Sequence, residues 1–225
     1  MTLRSTLFAL VYDRQMAKTE QAGLGTLRHD LLAGLSGHVL EIGGGTGANL
    51  PSYGPGVESL TITEPEPPML RRLERKVGAE TRAIKVLRAP AEDLPFNDGT
   101  FDVVVSTLVL CGVDDQPRAL REVRRVLRPG GKLVFFEHVR GDDPRTARLQ
   151  DRMNWLNRLL VCCECNRPTL RTIQETGFTI TGIEHTDLPR APKFARPSIR
   201  GTAIKPGAAG PGDLEIGAGE RSAAG

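Results

Sequence analysis

No apolar run in the sequence approaches the roughly 20 residues that a membrane-spanning helix needs, which excludes a spanning segment from the reading. Cysteine is scarce: there are 4, three of them crowded at Cys162, Cys163 and Cys165, too few and too clustered for a disulfide framework in 225 residues. That favours a reducing compartment. The opening MTLRSTLFALVY has a basic residue and a short apolar run, but no small-residue cleavage site follows, and Asp13 and Arg14 end it. A signal peptide is therefore not expected, and the expected location is the cytoplasm. A strong charge imbalance is also missing. The formal net charge is +3, and the arginines alternate with acids in LRRLERK and LREVRRVLR, as on solvated helix faces. This pattern does not predict a nucleic-acid partner.

What is present is ordinary soluble composition, 39% hydrophobic and 25% charged, in a chain long enough for one large core. Its most informative stretch is VLEIGGGTGANL, residues 39–50. A short apolar run ends in glycines at 43, 44, 45 and 47, which predicts a strand, a tight turn and the start of a helix. Glycine tolerates positive φ and lets backbone approach a ligand closely, so a nucleotide lying on this turn is expected. The N–H groups at the start of the following helix would suit a ligand carboxylate or phosphate. Two ligand families fit. Gly43, Gly45 and Ala48 satisfy the G-x-G-x-x-G/A dinucleotide fingerprint, and the same residues read with Glu41 satisfy E-x-G-x-G-x-G.

Taken in order, residues 2–20 and 24–35 read as helices. Strands are expected at 39–42, 59–63, 83–87, 101–106 and 132–139, and helices at 69–77 and 116–127, the last stopped by the RPGG of 128–131. Residues 145–160 and 168–176 read as further helices, and 178–183 and 199–204 as late strands that pair. Strands alternating with helices define an α/β fold with a Rossmann-like doubly wound sheet, mostly parallel with a late antiparallel strand. One domain is expected over 1–205. Residues 206–225, rich in Gly, Ala and Pro, read as a disordered tail.

Ligands of such sheets bind beyond the carboxyl ends of the strands. Glu64 closes the second strand there, suited to ribose hydroxyls, and both ligand families use such an acid. The series that follows decides between them: AEDLPF at 91–96, the β-branched run of 101–106, and LRPGG leading into a long strand. Together these resemble the class I S-adenosylmethionine (SAM) methyltransferases of type 11, which include the ubiquinone and menaquinone enzymes. YDRQM, STLVLCGV, EVRRVLRPGG, FEHV, and Cys163 with Asn166 and Arg167 are similar to the methyltransferase-like 7 group, some members of which methylate thiols. The resemblance implies that Gly43, Gly45 and Gly47 form the cofactor turn, supported by Glu41, and that Glu64, followed by Pro65, holds the ribose. It places Ala91 and Glu92 around the adenine, Thr107 and Leu108 beside the methionine moiety, and Asn49 near the methionine carboxylate or on a helix surface. Tyr12 is read as a cofactor lid or a packing aromatic. Many relatives carry an Asp where this chain has Pro90, so an adenine contact there must come from Glu92, Asp93, backbone or water.

SAM is thus the expected cofactor and a small, largely apolar molecule the expected substrate, a thiol in preference to a phenol or quinol-type oxygen or carbon. The competing class, an NAD(P)-dependent oxidoreductase, is weakened because only Tyr12 and Tyr53 exist and neither lies near a lysine in a recognisable motif. His138, ending the fifth strand, is the candidate base, with a structural hydrogen-bonding role as the other reading; His185 is a second choice. Met153, Trp155, Leu156, Leu159 and Leu160 read either as core or as the lining of an apolar cavity. No metal is expected, because zinc sites usually take four ligands in C-x₂₋₄-C pairs, whereas here only Cys111 remains beside the cluster and no histidine pair complements it.

Overall fold

The computed structural model describes residues 17–80, 82–161 and 163–207, apart from the side chains of residues 160 and 161. Seven strands, β1 (Gly37–Ile42), β2 (Val57–Thr63), β3 (Ile84–Leu87), β4 (Phe101–Thr107), β5 (Leu127–His138), β6 (Thr179–Asp187) and β7 (Pro197–Ile204), form one sheet in the order β3-β2-β1-β4-β5-β7-β6. All neighbours from β3 to β5 run parallel, and β7 is antiparallel to both β5 and β6. This is the expected Rossmann-like sheet with a late antiparallel strand.

The period of two in each strand sends alternate residues to opposite faces. Leu40 and Ile42 of β1, Val104 of β4, and Leu133 and Phe135 of β5 pack on one face against Ala119, Leu120, Val123 and Val126 of α3 (Gln116–Val126) and Ile173 of α5 (Thr169–Glu175). Val39, Val103, Val105 and Val134 face the other way, against Leu32 of α1 (Gly25–Leu32) and Leu73 of α2 (Pro67–Val77). Both faces are covered, which is why the central strands read as continuous apolar runs. Helix α4 (Pro144–Val161) follows β5.

Two element boundaries depart from expectation. Helix α3, capped by the Asp115 carboxylate accepting from Arg118 N at 2.9 Å, ends at Val126 and passes straight into β5. The RPGG stretch therefore belongs to the strand rather than to a separate stop, because Gly130 N donates to Lys205 O and Lys205 N to Gly131 O, both at 2.9 Å. A π-helical turn, Glu20–Leu24, precedes α1, with Gly23 at φ 127°. No helix among the described residues is long and apolar enough to cross a membrane.

Candidate active site

The sheet order reverses between β1 and β4, and the crevice beyond those strands is where such folds hold ligands. β1 ends at Ile42, and the chain turns through Gly43, Gly45 and Gly47 at φ 57°, 56° and 78°. At Gly43 a Cβ would lie 2.7 Å from both methyls of Val109, so packing enforces glycine there. At Gly45 nothing lies within 4 Å of that position, which leaves backbone open to a ligand. The turn is tied to β2 by Gly44 N donating to Thr63 O at 2.9 Å. The α-helix expected after it is absent: Leu50–Ser52 is a single 3₁₀ turn, and Tyr53 is already extended at ψ 121°. Gly54 and Pro55 then break the chain, so no α-helical N-terminus faces the turn.

Glu64, at the end of β2 and buried, accepts from Gly45 N and from Glu66 N, both at 2.8 Å. Burial raises its pKa against the pull of those two N–H donors. Behind the turn lies a buried network. Asn49 Nδ2 donates to Glu41 Oε1 and to Thr107 Oγ1 at 2.9 Å, and Tyr53 OH donates to Glu41 Oε2 at 2.7 Å. Asn49 is therefore not a helix-surface residue, and Glu41 supports the turn through Asn49 and Tyr53. Burial pushes the Glu41 carboxyl up to about 7, although the Tyr53 and Asn49 hydrogen bonds and the Arg28 charge hold it down.

Arg28, which the sequence reading missed, completes the network from α1. It is 4% exposed, with Nη1 on Asn49 Oδ1 at 2.8 Å and Thr107 Oγ1 at 2.9 Å, and Nε on Glu20 at 3.1 Å. A buried guanidinium requires partners, and Asn49, Thr107 and Glu20 supply them. The only sequence signal was an arginine in the middle of an otherwise amphipathic stretch, TLRHDLL.

The remaining assigned residues lie at the same end of the sheet. Leu108 follows β4 with φ 60°, a strained value for leucine, and its N–H donates to Phe136 O at 2.7 Å. Ala91 is buried in the loop after β3. Glu92 beside it accepts through Oε1 from Asp114 N at 2.9 Å and Asp115 N at 3.3 Å, so that oxygen is engaged in holding the next loop. Pro65 follows Glu64 and accepts through its carbonyl from Arg88 Nε at 3.1 Å. Tyr12 lies outside the described residues, as does the tail beyond residue 207.

His138 ends β5 and is 9% exposed. Its Nδ1 lies 3.2 Å from Cys163 Sγ and 3.7 Å from Cys111 Sγ, and Nε2 is buried. The premise that separated Cys111 from the cysteine cluster fails, because the fold brings loop, strand end and post-α4 segment together. Burial lowers the His138 pKa, but Cys111, Glu137 and a hydrogen bond to the Ala195 backbone outweigh it and the net direction is up. Glu137, fully buried, accepts from Ser106 Oγ at 2.6 Å, Val109 N at 3.1 Å and Cys111 N at 3.2 Å, which fixes the loop that carries Cys111. His185 instead lies on exposed β6, 4.0 Å from Asp142, beside a cavity of about 330 Å³ that contains none of the assigned cofactor residues. Trp155 and Leu159 are 66% and 47% exposed, so the reading of these two as core is wrong.

These features define a Rossmann-like fold with a crevice at the switch point of its sheet: backbone is open at Gly45, a buried carboxylate follows β2 and a buried guanidinium lies behind the turn. Residues 40–135 match the Methyltransferase domain family. The chain is 35% identical over 207 residues to the human thiol S-methyltransferase TMT1A, covering 88% of this chain and 83% of the relative. It is 38% identical over 183 residues to human TMT1B, covering 77% and 74%. The chain belongs to the family of SAM-dependent methyltransferases that includes these two proteins. The fold is also that of geranyl diphosphate C-methyltransferase from Streptomyces coelicolor A3(2), solved with S-adenosyl-L-homocysteine, at TM-score 0.63 and 14% identity, covering 80% and 78%. SAM is thus the cofactor, and the dinucleotide alternative falls.

Proposed function

We propose that the enzyme methylates the sulfur of a small, largely apolar thiol. The two human relatives are named for that activity. The observation that carries the reading here is His138, buried at the active-site end of β5 with Nδ1 3.2 Å from Cys163 Sγ. Bound SAM supplies a sulfonium-activated methyl group. Gly43, Gly45 and Gly47 cradle the cofactor, Glu64 holds the ribose, and Arg28 with Asn49 supplies the polar, cationic surroundings of the methionine carboxylate. Ala91 and Glu92 frame the adenine, with Pro65, Thr107 and Leu108 completing the wall and Glu41 fixing Asn49.

A thiol with pKa near about 8.5 is already partly ionised at neutral pH. His138 takes the remaining proton while Nδ1 faces Cys163, and the resulting thiolate would accept the methyl group as the S–CH₃ bond of SAM breaks and S-adenosylhomocysteine leaves. Positioning of this kind is worth roughly 7–11 kcal/mol of barrier. The test is transfer from methyl-labelled SAM to a panel of alkyl thiols, phenols and quinols. Label on the thiols supports the reading; label on phenols or quinols with none on thiols overturns the acceptor.

A further inference from the structure

Cys111, in the loop after β4, His138, at the end of β5, and Cys163, after α4, converge from three parts of the chain. Their ligand atoms lie within 4.8 Å of one another and all three residues are buried. Two sulfurs approach the one imidazole nitrogen Nδ1, at 3.2 and 3.7 Å, and the two thiols also hydrogen-bond each other, so the three ligand atoms are mutually adjacent. A tetrahedral ion with metal–sulfur bonds of about 2.3 Å and metal–nitrogen bonds of about 2.0–2.1 Å separates its ligand atoms by roughly 3.5–3.8 Å. The two sulfur–nitrogen distances, 3.2 and 3.7 Å, are close to that. Neighbouring groups do not compete: the Glu137 carboxylate is engaged by Ser106, Val109 and Cys111 N–H, and the Cys165 sulfur faces Asn154 Oδ1 at 4.0 Å.

We propose that Cys111, His138 and Cys163 bind one thiophilic divalent cation of the zinc type, the fourth tetrahedral position being left to water. On binding, each cysteine loses its proton to solvent, so two protons are released and two thiolates balance the charge of the ion. The buried pocket then encloses a neutral cluster. Binding uses the Nδ1 lone pair, so the ring hydrogen must sit on Nε2. Resting on the role proposed above for His138 in thiol methylation, the loaded protein cannot take a thiol proton there, and metal binding and turnover exclude each other.

The experiment titrates reduced, chelator-treated full-length protein with zinc in competition with a chromophoric chelator. One equivalent is expected. Cys111→Ala and Cys163→Ala should each weaken it by more than the roughly 10–100-fold that a lost outer-shell partner costs, and Cys165→Ala should leave it unchanged. Cobalt substitution of the wild-type protein should give a thiolate-to-metal absorption band, a readout that needs no variant. Absence of zinc competition, or equal binding by the two alanine variants, overturns the site. Thiol methylation is then compared in chelator-treated and zinc-loaded protein. Unchanged transfer in the loaded form overturns the exclusion, whereas absence of transfer in the chelator-treated form counts against the proposed acceptor and leaves the binding result intact.

Discussion

The carboxylate of Glu64 accepts a hydrogen bond from Gly45 N across 2.8 Å, so the first residue beyond β2 holds the glycine turn at the point where its backbone is open. The same carboxylate is the proposed ribose partner. Glu64→Gln and Glu64→Ala should weaken S-adenosylhomocysteine binding by roughly 10–100-fold, the worth of a hydrogen bond to a charged group. Burial already disfavours the charge, so little stability should be lost. Isothermal titration calorimetry reads the affinity, and a change within about twofold would remove Glu64 from the site.

Gly43 and Gly45 have nearly the same φ, 57° and 56°, but different surroundings. Gly45→Ala meets nothing within 4 Å and should cost only the left-handed penalty of about 1–2 kcal/mol. Gly43→Ala drives a methyl against Val109 and should cost more. Cofactor affinity should nevertheless collapse in Gly45→Ala, because the added methyl enters ligand space. Thermal melts and calorimetry on the two variants separate packing from binding; normal affinity in Gly45→Ala would place the cofactor elsewhere.

Glu41 gives a pH dependence with a definite sign. Its carboxyl moves from 4.5 to about 7 on folding, with burial as the main cause. The folded state therefore favours the protonated form, and this stabilisation, complete below pH 4.5, is lost as pH rises through about 7. At 1.36 kcal/mol per unit the swing approaches about 3 kcal/mol. Denaturant unfolding of the wild type and Glu41→Gln between pH 5 and 8 should show the variant gaining relative stability as pH rises. A constant difference would mean that Glu41 does not titrate in that range.

Much of this was legible in the chain itself. Val103–Val105 and Leu133–Phe136 read as buried strands because residues covered on both faces leave an unbroken apolar run, and the glycine turn was legible because few residues but glycine accept its φ values. What escaped depends on distance in sequence. Arg28 reads as a surface arginine until Thr107, 79 residues away, is seen to accept from it. The His138 cluster joins residues 25 and 27 positions apart, a relation no local spacing encodes. Apolar periodicity in α4 revealed a helix, but not that Trp155 and Leu159 face outward.

His138 yields the prediction closest to the chemistry. If its ring accepts the thiol proton, His138→Gln should lower kcat for alkyl thiols by roughly 10²–10⁴-fold, the usual worth of a positioned base, while S-adenosylhomocysteine affinity stays unchanged. Acidic aryl thiols, already ionised, should be largely spared, and that split separates a proton acceptor from a residue that only packs. The raised pKa adds a second readout. Because the ring is a base only when neutral, the acidic limb of the kcat/KM profile should lie above the ordinary histidine value of about 6.5 and vanish in the variant. Equal losses for alkyl and aryl thiols, with the limb retained, would assign His138 to structure and leave deprotonation to solvent.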